Sequence, residues 1–415
     1  MRLIVFTDTL TDVNGVARFV RGIASISHQK GLPVQVVHCG PDAVLTQGSA
    51  AHSLPPTVRK HDPLLSMAMP LYPLLRLNIP NVLDSVRVLK EFRADAVHLS
   101  TPGPVGCAGW FAAGYLGLPR FATHHTDFPA YLRQLTQSES VGFFTESIMG
   151  RFYRVCSKVF TRSPEYAAAL CTFGVPPNDV VQLRPGIQLD DFGPHLADDA
   201  CVRRIGFSSS SGTVDLLDGR PIVLSVGRIS IEKNLPFLAD AWKLRSHGER
   251  GPRLVIVGDG PYLSTMQNEL AAEVAAGNVV FTGFRFGNEL AALYAAAMVF
   301  VFPSRTDTLG QVVMEAQASG TAVIVSTEGG PAGLASNGRG LVLPAERGFE
   351  GAWAAAIAQL CENAELREQL TAAARRDVAS RDLESSVLSW WMSQEDALSR
   401  GSKSSPTVVS DNGST

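Results

Sequence analysis

Short, continuous apolar runs alternate with amphipathic stretches along nearly the whole chain. Runs at residues 3–6, 34–37, 96–99, 120–122, 159–161 and 180–183 occupy the first half, and runs at 222–226, 254–257, 279–281, 298–302 and 322–325 the second. They are too short for buried helices and too uniformly apolar for strands with one wet face. They therefore predict strands covered on both sides. Between them, residues 17–29, 83–92, 235–245, 262–275, 289–296 and 311–319 space their apolar positions at the helical period. Strands and helices in this alternation predict parallel sheets with crossover helices.

The alternation occurs twice. The halves meet between Pro185-Gly186-Ile187 and Arg220-Pro221, with the low-complexity Ser208-Ser209-Ser210-Ser211-Gly212 between them. The expected class is α/β: a Rossmann-like, doubly wound domain over 1–187, a linker region over 188–220 and a second such domain over 221–380. Two such halves face each other across a cleft, with ligands at the carboxyl ends of the strands. A helical pattern within 381–400, with Trp390 and Trp391, is free to pack on either half, and the Ser/Gly-rich 401–415 reads as a disordered tail.

Residues 52–80 break the pattern. Their prolines predict a long irregular insertion. Leu64, Leu65, Met67, Met69, Leu71 and Tyr72 lie close to Arg59 and Lys60, a mixture that suits a peripheral membrane contact as well as packing on its own domain. At 415 residues two domains are the default, and 45% apolar with 18% charged residues is the composition of a folded chain. The net charge of −3 counts against a nucleic-acid partner. Six scattered cysteines, without Cys-x-x-Cys, predict reduced thiols and no zinc site. The opening apolar run is too short for a signal peptide, and no run reaches the ~18–20 residues of a spanning helix. A cytoplasmic protein, at most peripheral at the inner membrane face, is expected.

Candidate chemistry gathers at strand ends. After the run at 298–302 comes Pro303-Ser304-Arg305-Thr306-Asp307-Thr308-Leu309-Gly310, and then a helix carrying Glu315. A helix opening there points unpaired N–H groups at an anion such as a phosphate, with Asp307 and Glu315 placed to accept from sugar hydroxyls. After the run at 222–226, Gly227-Arg228 and Lys233 set two cations where the charge of a departing diphosphate develops. After 254–257, Gly258-Asp259-Gly260 allows close approach of a flat ligand, though it lacks the third glycine of a dinucleotide fingerprint. In the first half, Asn14-Gly15 is a turn facing the opposite domain, and His124-His125-Thr126-Asp127 supplies groups for acid–base or hydrogen-bonding work. No metal ligand cluster is evident.

Asn14-Gly15-Val16, His125-Thr126, Pro185-Gly186-Ile187, Gly227-Arg228 with Lys233-Asn234, Gly258-Asp259-Gly260-Pro261 and the block from Asp307 to Glu315 occur in order. In this the chain resembles the family-4 retaining glycosyltransferases of GT-B fold, to about residue 400. It is most similar to sulfoquinovosyl-diacylglycerol synthase-like and α-mannosyltransferase-like members. The resemblance implies a nucleotide-diphospho-sugar donor, a lipid or glycan acceptor, and neither a metal nor another cofactor. It implies catalytic roles for His125 at the transferred hexose, Asp307 at its hydroxyls, and Arg228 and Lys233 on the diphosphate. Glu315 would hold the ribose, Thr308, Leu309 and Gly310 would give backbone N–H groups, Gly15 beside Asn14 would cover the diphosphate, and Gly258 and Gly260 would lie at the base. The last helix would cross back to the first domain. Asp307 stands where the family usually has Glu, and Gly329-Gly330-Pro331-Ala332-Gly333-Leu334 lacks the acidic residue many members carry near 332 or 333. The alternatives are a GT-B nucleotide-sugar epimerase or hydrolase, which needs no acceptor groove, and a non-catalytic nucleotide-sugar-binding protein.

Overall fold

The structure, a computed structural model, describes residues 1–12, 14–40, 54–69, 72–125, 129, 132–133, 136, 138–162, 164–207, 214–244 and 251–403. In chain order the first half runs β1 (Leu3–Phe6), β2 (Val34–Cys39), β3 (Val58–His61), β4 (Pro63–Met69), β5 (Tyr72–Pro80), β6 (Ala96–Leu99), β7 (Arg120–His124), β8 (Lys158–Thr161) and β9 (Val180–Gln182). The second half runs β10 (Ile222–Val226), β11 (Arg253–Val257), β12 (Val279–Gly283), β13 (Val299–Phe302), β14 (Ala322–Ser326) and β15 (Leu341–Leu343). The first sheet is ordered β3-β2-β1-β6-β7-β8-β9 and the second β12-β11-β10-β13-β14-β15. Every pairing in both is parallel.

Both sheets start at an inner strand, wind outward to one edge, and then restart on the other side. That reversal opens a crevice between β1 and β6 and another between β10 and β13. The central strands β1, β6, β10, β11, β13 and β14 are buried at every position, which is why they read as mostly apolar runs without a polar alternation. Among the described residues no helix is long and apolar enough to cross a membrane.

The expected irregular insertion is ordered for much of its length. Val58–His61 adds an edge strand to the first sheet, and β4 pairs with β5 as a separate antiparallel hairpin. Pro63 faces Pro80 at the hairpin base, and a two-stranded ribbon tolerates proline because each strand has an open edge. Residues 52–53 and 70–71 lie outside the described residues, as do the Ser208–Gly212 loop, Thr126 and Asp127.

Residues 188–220 carry more structure than a bare tether. The helix Asp199–Phe207 buries Cys201, Val202 and Ile205 in the same core as Leu224 and Val255 of the second sheet. The helix Leu383–Lys403 runs past residue 400, and the rest of the expected tail, 404–415, lies outside the described residues. This helix packs on the first half. Val387, Trp390 and Trp391 share a core with Leu3, Val5 and Phe19, and Gln394 meets the buried His98 ring at 2.9 Å. Gly186 explains the Pro-Gly-Ile motif, because a Cβ there would stand 2.6 Å from the Asp382 carbonyl oxygen where the chain crosses back.

Candidate active site

β10 and β13 are neighbours at the reversal of the second sheet, so the loops that leave them converge. The loop after β10 makes a 3₁₀ turn, Ile231–Lys233, and ends at Asn234 in the left-handed region (φ 57°). Asn234 donates its side-chain amide to the carbonyls of Pro303 (3.2 Å) and Ala345 (2.7 Å), which fixes the loop to the exit of β13. Lys233 is thereby held with Nζ at 2.7 and 2.8 Å from the two oxygens of Asp307. Burial raises the Asp307 pKa, but the Lys233 ammonium and its hydrogen bonds outweigh it, and Arg228 adds to them. The carboxyl sits below its ordinary range and is ionised. Arg228 lies 3.5 Å from Glu232.

The helix Gln311–Ala318 begins at Gly310, whose φ of 74° suits glycine. A Cβ there would also strike Pro331 at 2.7 Å. Beneath, Gly330 donates its N–H to the Asp307 carbonyl (2.8 Å), so the Gly329-Gly330-Pro331 turn supports the Asp307–Gly310 loop. No side chain caps this helix. Its first-turn N–H groups stand at the wall of a cavity of ≈ 430 Å³, where an anion would complete them.

The first half forms the opposite wall. Gly15 opens the helix Gly15–Gln29, and a Cβ on it would come within 3.3 Å of Gln311 Oε1. Asn14 caps that helix, accepting from the Ala17 N–H at 2.8 Å. Thr308 Oγ1 donates to the carbonyl of His125, so the two halves touch across the cleft. Burial, with the nearby Arg162 charge, holds the His125 pKa well below its usual value, leaving a neutral imidazole. Burial pushes Asp12 up to about 6, against Arg228, which lowers it.

His125, Asn14, Gly15, Arg228, Lys233, Gly258, Asp307, Thr308, Leu309 and Gly310 all line this one cavity. Two expected residues do not. Glu315 is fully buried, paired with Arg18 of the first half and accepting from the Tyr294 hydroxyl at 3.0 Å. Its partner Arg18 does line the cavity. Gly260 lies outside the lining, because Ile229 lies against it; a Cβ there would stand 2.4 Å from the Ile229 carbonyl oxygen. Gly258 lines the cavity, yet its closest neighbour is the Gly227 carbonyl, 1.9 Å from where a Cβ would be. These glycines let two strand-end loops stack, with Gly258 still facing the cavity.

Sequence reasoning missed Arg18, Asp12, Arg162 and the Phe284-Arg285-Phe286 turn, all of which line the cavity. Signals existed for three of these. Arg18 follows Gly15 by three residues on the same helical face, Arg162 directly follows β8, and Phe284 directly follows β12, at the carboxyl ends where ligands collect. Among the described residues no group of three or more His, Cys, Asp and Glu could hold a metal ion.

The family described as Glycosyltransferase Family 4 matches residues 13–191, and Glycosyl transferases group 1 matches residues 212–377. A GDP-mannose-dependent alpha-mannosyltransferase of Mycobacterium tuberculosis is 32% identical over 91% of this chain and 92% of its own. The chain is a family-4 glycosyltransferase. This glycosyltransferase is also 30% identical to a sulfoquinovosyl transferase of Arabidopsis thaliana, over 59% of this chain and 46% of that one. Its GT-B fold is shared with Anabaena HepE, solved with UDP and glucose. The TM-score is 0.74 at 16% identity, over 95% of this chain and 99% of that one.

Proposed function

We propose that this glycosyltransferase moves a hexose from a nucleotide-diphospho-sugar to an amphiphilic lipid or glycolipid acceptor, with retention and without a metal. The observation that carries the reading is the convergence of Arg228, Lys233 and the uncapped helix start at Gly310 on one wall of a cavity whose other wall is His125 and Gly15. Diphosphate oxygens gain charge as the sugar–oxygen bond breaks. Fixed cations and N–H dipoles aimed at that position stabilise the change without reorganising, which is the electrostatic work a metal would otherwise do. Lys233 exchanges Asp307 for phosphate, and Asp307 is then released to accept from sugar hydroxyls. His125, neutral, hydrogen-bonds the hexose from the far wall.

GDP-mannose is the donor to test first. Relatives in Mycobacterium tuberculosis and Mycolicibacterium smegmatis named for it match over nine-tenths of this chain. The name alpha-mannosyltransferase supports retention, since GDP-mannose carries its sugar in an α bond.

Residues 52–80 support a membrane-side acceptor. Leu65 pairs with Ile79 across the hairpin, and Met67 lies two residues on along the same face; the three are 50%, 40% and 45% exposed. Leu64, at 72%, extends the apolar edge. Apolar insertion together with nearby cations such as Lys60 would give reversible binding to anionic lipid.

The test is transfer from labelled GDP-mannose, UDP-glucose and ADP-glucose to acceptors in anionic vesicles, with vesicle co-sedimentation alongside. Labelled lipid product and salt-sensitive co-sedimentation support the reading. Release of free sugar without any transfer product would indicate a hydrolase. Transfer to water-soluble acceptors alone, with the protein wholly in the supernatant, would overturn the membrane component.

A further inference from the structure

Two buried arginines in this protein are treated very differently. Arg253, 4% exposed, donates to Asp218 and to the carbonyls of Gly277 and Asp215. Arg162, 8% exposed, has no carboxylate beside it among the described residues, and its Nε has no hydrogen-bond partner. Burial alone lowers its pKa to about 9. Its guanidinium lies 3.9 Å from the centre of the Phe19 ring, and that ring meets His125 edge-on at 6.0 Å.

A buried cation without a counter-charge is among the costlier arrangements in a folded protein. A ring face offsets only part of that cost, and it does so without satisfying the N–H groups. Arg162 nevertheless lines the central cavity, where a ligand can reach it. Its charge is felt at His125, while the Arg228 charge is felt at Asp12 and Asp307. Tyr166, one turn beyond, donates to the Thr306 carbonyl at 3.5 Å, placing this corner against the Asp307–Thr308 end of the loop.

We infer that Arg162 is an anion-recognition site for a substrate group other than the diphosphate: a carboxylate, sulfonate or phosphate ester on the transferred hexose or on the acceptor. The inference rests on the glycosyl-transfer reading above and names the charge of one of its substrates. The anion accepts from the guanidinium in a paired geometry, with the Phe19 face behind it.

The test compares matched substrates with the full-length protein. The donor arm sets GDP-mannuronate against GDP-mannose and UDP-glucuronate against UDP-glucose. The acceptor arm sets dioctanoyl phosphatidylinositol against dioctanoylglycerol. In one arm the wild type should prefer the anionic member in kcat/KM, and Arg162→Met should cut that preference about 10- to 150-fold, the span of a charge-assisted hydrogen bond. The arm that responds identifies the source. Arg162→Lys should restore part of the preference, which a purely structural role would not do. Wild-type transfer that ignores charge in both arms overturns the inference and leaves the transferase reading standing. No transfer from any donor counts against the transferase reading itself. Should Arg162→Met fail to fold, Arg162→Gln is read the same way. Thermal unfolding of the wild type with dioctanoyl phosphatidylinositol or GDP-mannuronate gives a second measure. Stabilisation by at least one anionic member beyond its neutral match is expected, and none from either sinks the proposal.

Discussion

Removing Arg18 should tighten nucleotide binding while weakening the fold. Arg18 and Glu315 come from opposite halves, and Glu315 is wholly buried, with Arg18 and the Tyr294 hydroxyl as its partners among the described residues. If Glu315 holds the donor ribose, Arg18 occupies that place in the empty protein, and a nucleotide must displace it. A hydrogen bond to a charged group contributes about 1.5–3 kcal/mol net. The Arg18 side chain is 32% exposed, so solvent screens part of this, and about 1.5 kcal/mol is the figure to carry forward. A competitor of that strength weakens nucleotide binding roughly tenfold.

Arg18→Met keeps the apolar stem and deletes the charge. Calorimetric titration with GDP or UDP should give a Kd roughly tenfold lower than wild type. Melting of the ligand-free variant should fall, because a buried carboxylate stripped of its cation costs about 3–5 kcal/mol before water or a proton relieves it. Opposite signs in the two assays mark displacement. Glu315→Gln should weaken nucleotide, and Arg18→Met should then add little in the double variant, since the two changes act on one contact. Weaker nucleotide binding by Arg18→Met would refute the reasoning and make Arg18 a direct donor contact.

Arg228→Ala and Lys233→Ala should each lower turnover about 10- to 150-fold, as loss of one charge-assisted contact implies, and Lys233→Ala should also lower the melting temperature, because it strips the ionised Asp307 of its cation; near-wild-type rates would remove the diphosphate assignment. Transfer should persist in EDTA, and complete loss restored by magnesium or manganese would mean the leaving group depends on a metal. Asp307→Asn should reduce turnover with nucleotide Kd nearly unchanged, the reverse of Glu315→Gln, and equal Kd losses in calorimetry would end that division of labour. Asp12, raised from 3.8 to about 6 by burial and by the Asp8 charge, against the opposing pull of Arg228 and Arg21, holds its proton more tightly folded than unfolded. Its contribution to stability is full below pH 3.8 and is lost as pH rises through 6, on the order of 3 kcal/mol in all. Asp12→Asn should therefore raise the melting temperature at pH 7.5 and leave it unchanged at pH 3.5; an equal gain at both would show that burial of Asp12 is not the cause.

The parts of the fold legible in sequence are those where both faces of a strand are covered. Residues 222–226 and 322–325 could be read because every side chain there is buried, leaving no polar alternation to confuse the signal. Val58–His61 was not legible, since an edge strand of Val-Arg-Lys-His has neither an apolar run nor an alternating one. Leu341–Leu343 is three residues long, too short to distinguish from a loop. The site divides in the same way. Arg228, Lys233, Asp307 and Gly310 could be placed because each follows a strand end in its own half. Arg18 could not, because its importance arises from what folding brings opposite it, and Arg162, though it also follows a strand end, is marked out only by its burial against the Phe19 ring. Glu315 was expected at the donor ribose, and its Arg18 partner, 297 positions away on the other domain, was not legible. Gly258 and Gly260 were read as room for a ligand, and most of that room is filled by the neighbouring loop.

That pairing pattern says how a donor would be admitted at little electrostatic cost. Lys233 rests on Asp307, Arg228 on Glu232 and Arg18 on Glu315, so most of the charges assigned to the donor are balanced internally beforehand. Binding then exchanges one counter-ion for another, instead of stripping bare ions of water, and the exchange is favourable only for a ligand that supplies both partners. Phosphate oxygens would take over Lys233 and Arg228, while sugar hydroxyls would take over Asp307, the carboxylate thereby released. Inorganic phosphate alone would satisfy the cations and strand Asp307 without its cation, which is why a simple anion should bind far less well than the full nucleotide-sugar. Selectivity for a molecule carrying a diphosphate and hydroxyls at a set spacing would thus follow from the ion pairs that line the cleft.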